Sequence, residues 1–92
     1  DTGISGRTAQ KVSEKMAVIG GCHQVLCITH LPQIAARGRA HYKVYKEDTE
    51  TGTNSHIRRL TDEERVKEIA NMLSGATLTE AALNNAKALI SG

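Results

Sequence analysis

The stretch that most restricts what this 92-residue chain can become is Val25-Leu26-Cys27-Ile28, which is apolar without interruption. It lies inside His23–Thr29, between the Gly20-Gly21 pair and Pro32. A short unbroken apolar run between turn residues predicts a strand covered on both faces, since a half-solvated strand would alternate. Such a strand needs ladder partners, because buried N–H and C=O groups left unpaired cost free energy. The chain offers few. Ala40–Lys46 alternates, with Tyr42, Val44 and Lys46 on one face and His41, Lys43 and Tyr45 on the other, and Asn54–Leu60 alternates again. With a turn at Asp48–Thr53 these predict an antiparallel hairpin, partly solvated and joined by a long loop. A hairpin supplies one neighbour at most, so further strands are expected upstream of Asp1.

Helical spacing accounts for most of the remainder. Ala9, Val12, Met16 and Ile19 recur three or four apart, with Lys11, Glu14 and Lys15 opposite, and Gly20-Gly21 is a stop. Ser5 or Thr8 could cap the start. Pro32 suits the first position of a short helix, Pro32–Ala36, ending near Gly38. Thr61 and Glu64 form the pattern T-x-x-E before Val66, Ile69, Ala70, Met72 and Leu73, and Ser74-Gly75 closes that helix. Thr77 and Glu80 repeat the pattern before Ala82, Leu83, Ala86, Leu89 and Ile90. The expected fold class is therefore α/β: a partial layer structure with a buried strand, an antiparallel hairpin and flanking helices.

Composition narrows the function classes. Twelve basic against ten acidic residues give a net charge of +2, short of the one-sided basic excess of most nucleic-acid binders. The cysteines, Cys22 and Cys27, are too few for a disulfide scaffold and fit a reducing compartment. Without Phe or Trp the core must come from aliphatic residues, Ala and Met. No apolar run approaches the roughly 20 residues that span a bilayer, and no basic-then-apolar leader opens the chain. Membrane and secretory classes are not expected. One domain of this size buries only about 60–65% of its unfolded surface, so marginal stability is expected. The opening on Asp1, inside a glycine-rich turn, reads as a fragment of a longer protein.

Several side chains could carry chemistry. His30 stands just past the carboxyl end of the expected strand, where ligands bind in open α/β sheets. It could donate to a terminal phosphate or orient a water, or it could simply cap the strand. The loop DTGISG, residues 1–6, permits close backbone approach, yet no Gly-Lys-Ser/Thr follows it, and by itself it reads as a tight turn. Cys22, His23, Cys27, His30 and His41 do not make a metal site. Residues five apart on a strand face opposite ways, so Cys22 and Cys27 cannot share an ion, and Cys27 reads as a small core residue. Arg37, Arg39, Lys43, Lys46, Arg58 and Arg59 are interleaved with Glu47, Asp48 and Glu50, a solvated hairpin face. Met16 and Met72 read as packing residues.

Taken together, DTGISG, a helix, and an apolar strand ending in CITHLPQIA resemble the C-terminal head segment of the RecN family. These are bacterial DNA repair ATPases related to the structural-maintenance-of-chromosomes proteins, with an ABC-type nucleotide-binding head. The likeness runs over essentially all 92 residues, including Gly3–Lys15, Thr29–Ala35, the hairpin and Met72–Glu80. It implies that the chain is the C-terminal part of such a head, with Walker A, signature and Walker B motifs absent. The magnesium-associated Asp and the catalytic Glu would precede Asp1. Asp1, Thr2, Gly3, Ile4, Ser5 and Gly6 would form the D-loop at a head–head interface. Related heads often carry a carboxylate where this chain has Ser5, so a carboxylate role there does not transfer. His30 would be the catalytic switch histidine of the H-loop, contacting the γ-phosphate.

The implied function is part of an ATP-binding and ATP-hydrolysing protein of DNA double-strand break repair and recombination, in the bacterial cytoplasm near the nucleoid. ATP and magnesium would belong to the intact head, with neither held tightly here, and the chain alone would be inactive. Its partners would be the N-terminal lobe of the same head, a second head across the ATP sandwich, and DNA. The competing expectation is a free-standing small α/β interaction module without nucleotide chemistry.

Overall fold

A computed structural model describes residues 6–75 and 77–92. Their order is α1 (Gly6–Gly20), α2 (Pro32–Ala35), β1 (Tyr42–Thr49), β2 (Gly52–Arg59), α3 (Asp62–Ser74) and α4 (Glu80–Ser91). The class is α/β. Helix α1 ends at the glycine pair, where the amides of Gly21 and His23 return to the carbonyls of Val18 and Ile19. Its buried residues are Ala9 and Ser13, and the Ser13 hydroxyl donates to the Gln10 carbonyl at 2.7 Å, so no polar atom is left orphaned there.

The cap of α3 forms as its sequence pattern requires. Glu64 N donates to Thr61 Oγ1 at 3.2 Å while Thr61 N donates to Glu64 Oε1 at 2.9 Å, and Gly75, at φ 78°, closes the helix. Helix α4 departs from expectation. Its cap is Thr79, not Thr77, with Ala82 N donating to Thr79 Oγ1 at 3.0 Å. Thr79 has the extended backbone an N-cap needs, and starting there puts alanine at the third helical position, so no reciprocal box can form.

The hairpin is longer and its turn tighter than predicted. Pairing runs from Tyr42 opposite Arg59 to Thr49 opposite Gly52, leaving only Glu50 and Thr51 as the turn. Side-chain bonds carry the ladder into DTETGT: Thr49 Oγ1 donates to the Gly52 carbonyl, and Thr53 Oγ1 to Asp48 Oδ1. Gly52 holds φ 138°, a value closed to most L side chains.

The buried strand expected at His23–Thr29 does not form among the described residues. Residues 24–29 are irregular, and the β1–β2 hairpin does not pair with them. Leu26 is 90% and Ile28 95% exposed, and Cys27, expected in the core, is also exposed. The physical reason is the one that predicted neighbours: a strand without a ladder partner gains nothing from burial. The core sits elsewhere. Ile69 and Ala70 of α3 close against Ala36, Ala82 and Ala86, rimmed by Val66, Leu73, Leu83 and Leu89. Helix α1 packs on α2, α2 on α3, and α3 on α4. The hairpin stands off, tied by Lys43–Glu68 and Arg58–Glu64 ion pairs, and at its foot the Leu60 amide donates to the His41 carbonyl, extending the hairpin's own ladder. The radius of gyration, 14.2 Å, exceeds the roughly 12 Å expected of a compact domain this long. No helix among the described residues is long and apolar enough to cross a membrane.

Candidate functional site

His30 stands exposed at a bend between the irregular segment 24–29 and α2. The bend has a local cause. The Thr29 hydroxyl accepts the Leu31 N–H at 3.0 Å, and Pro32, with φ already helical, begins α2 directly afterwards. Leu31 offers α2 no side-chain cap. His30 is therefore exposed two residues before the one-turn helix α2.

The far end of α2 is tied to three other parts of the fold. Arg65, on α3, donates through Nη2 to the carbonyls of Ala35 at 3.1 Å, Ala36 at 2.8 Å, and Gly38. Arg37 donates to the Gly92 carbonyl at 3.2 Å and lies 3.7 Å from Glu14 of α1. Burial pushes the Arg65 guanidinium below its ordinary value while Asp62 opposes the shift, and the group stays charged at neutral pH. Sequence reasoning passed over Arg65. The signal was present: Arg65 is four residues before Ile69, so a charge sits on the apolar stripe of α3.

The loop of residues 1–5 lies outside the described residues, so of the D-loop candidates Asp1, Thr2, Gly3, Ile4, Ser5 and Gly6 only Gly6 is placed. It lies against α2: a methyl group on Gly6 would sit 3.3 Å from Gln33 Nε2, three residues beyond His30. The other candidates disperse. Lys43 binds Glu68 at 2.8 Å and Arg58 binds Glu64, so the basic residues of the hairpin serve partly as tethers to α3. Among the described residues no cluster of three His, Cys, Asp or Glu side chains could hold a metal ion. His41, considered from the sequence only as a metal ligand, has its Nδ1 buried without a hydrogen bond at the foot of the hairpin. Burial, then Arg65, holds its pKa below the usual 6.5, with Lys43 adding to the shift and Glu68 opposing it.

No family profile matches this chain. It is similar to the DNA repair protein RecN of Deinococcus radiodurans, at 50% identity over 92 residues, which is all of this chain and 16% of that protein. It is similar also to RecN of Halalkalibacterium halodurans, at 44% identity over 90 residues, 98% of this chain and 16% of that protein. RecN of Bacillus subtilis is 41% identical over 90 residues, again 98% of this chain and 16% of that protein. The chain thus spans a small part, 16%, of the length of these relatives.

Proposed function

Because this chain is a segment of a RecN-family protein, we propose that it is the switch-histidine part of an ATP-binding and ATP-hydrolysing head in DNA double-strand break repair and recombination. The observation that carries the reading is the exposed His30 at a bend held by Thr29 and anchored through α2. In the intact head, bound ATP with magnesium would supply the phosphoryl group and most of the charge to be managed.

The part of this chain in that chemistry is electrostatic and positional. Phosphoryl transfer depends mainly on placing donors where charge develops, so an imidazole N–H held at fixed height can act without forming a covalent bond. An imidazole carries an N–H whether neutral or charged, so the ring can donate a hydrogen bond in either form. The D-loop, residues 1–6, would meet a second head and the rest of this segment the N-terminal lobe, with DNA bound by the assembled protein in the bacterial cytoplasm. The segment alone, carrying no Walker A, signature or Walker B sequence, would not turn over ATP.

The test is ATP turnover by the full-length protein with magnesium and DNA, comparing wild type with His30→Ala. A fall in kcat of about tenfold or more, with nucleotide binding retained, is expected. Unchanged turnover would contradict the proposal.

A further inference from the structure

We infer that Arg65 is a positioning residue for His30: by gathering the carbonyls that end α2, it fixes the short platform on which the histidine stands. The inference rests on the reading of His30 as a phosphate contact. Helix α2 cannot hold itself. It has four residues, begins with a proline that donates no hydrogen bond, and lacks a side-chain cap at Leu31. Its placement must come from outside. The carbonyls at the end of a helix lack intrahelical donors, and those of Ala35 and Ala36, with Gly38 just beyond, converge on one nitrogen of Arg65.

Arg65 is itself well fixed. Its amide donates to the Thr61 carbonyl at 2.8 Å in the capped first turn of α3. Four residues on, Ile69 packs with Ala36 in the core, so the half-buried Arg65 contact borders the core on both sides. On the other side, Thr29 and Pro32 leave little slack between α2 and His30. A shift of α2 would therefore reach the imidazole. Displacing a catalytic group by about 1 Å can cost on the order of a hundredfold in rate, whereas nucleotide affinity depends on other contacts.

The experiment is a double-mutant cycle on ATP turnover in the full-length protein, using His30→Ala, Arg65→Gln and both together, with ATP binding and thermal melting measured on each. Arg65→Gln is expected to lower kcat roughly tenfold or more with KM little changed, and to change turnover less than about twofold once His30 is alanine. Arg65→Lys, which keeps the charge but loses the planar fork, should fall between. If Arg65→Gln does not fold, Arg65→Lys is taken through the same cycle, with a loss of roughly threefold or more expected beside His30 and less than about twofold once His30 is alanine. Should His30→Ala lower turnover while the Arg65 variant leaves it unchanged, or lowers it equally in both backgrounds, the role of Arg65 is overturned and that of His30 stands. An inert His30→Ala would overturn the underlying reading instead.

Discussion

Gly75 and His41 are two residues whose backbone or burial sets a measurable cost. Gly75 holds φ 78° at the end of α3, where a side chain is strained and nothing within 4 Å would compensate. Gly75→Ala should lower stability by about 1–2 kcal/mol in chemical denaturation, and an unchanged midpoint would count against the strain. His41 is favoured neutral in the folded chain, its pKa lying below 6.5 through burial and the nearby Arg65 and Lys43. Below pH 6.5 the unfolded chain binds the extra proton more readily, so this contribution is full at higher pH and lost as pH falls toward the folded pKa. The urea midpoint should drop between pH 7.5 and 5.5, and His41→Asn should flatten the drop; an identical slope in the variant would contradict the assignment. The helix stop at Gly75 and the start of α2 at Pro32 were legible in the sequence because their causes are local. His41 and Arg65 were not, since their surroundings come from residues some twenty-five to thirty positions away, as with Lys43–Glu68 and Arg65–Ala35.

Capped helices are the elements whose sequence signal carries furthest. At Thr61 the box closes through two reciprocal bonds, whereas Thr79 satisfies one amide. Thr61→Ala should therefore cost about 1–2 kcal/mol and Thr79→Ala about 0.5–1 kcal/mol, and the reverse order would contradict the cap geometry. Thr77→Ala, which removes the hydroxyl that the sequence pattern alone would choose, should have little effect. The pattern T-x-x-E misled there because Thr79 offers a second hydroxyl two residues on. In the hairpin, alternation marked both strands, but the polar turn sequence hid the side-chain bonds of Thr49 and Thr53 that lengthen the ladder. The run Val25–Ile28 was read for a burial that depends on neighbouring strands, which short-range pattern cannot supply.

Across the whole molecule, apolar surface is distributed unevenly. Leu26 and Ile28 on the irregular segment 24–29 and Val44 and Ile57 on the hairpin are exposed, while the core beneath α3 and α4 is built largely from alanines. A 92-residue chain with so much apolar surface in water should be marginally stable and self-associate. Sedimentation over a wide concentration range should register growth in size; a concentration-independent monomer with a high, cooperative melt would contradict this. The α/β class and the likeness to RecN were legible because they reside in local elements and in the run THLPQIA, whereas the open arrangement of the elements was not. The central claim is that the loop at His30 answers to the terminal phosphate of ATP. The most direct measurement is amide hydrogen exchange of residues 29–38 in the full-length protein, with magnesium and either ADP or a non-hydrolysable ATP analogue. Slower exchange with the analogue than with ADP, abolished by His30→Ala, is the predicted result; equal exchange in the two nucleotide states would contradict it.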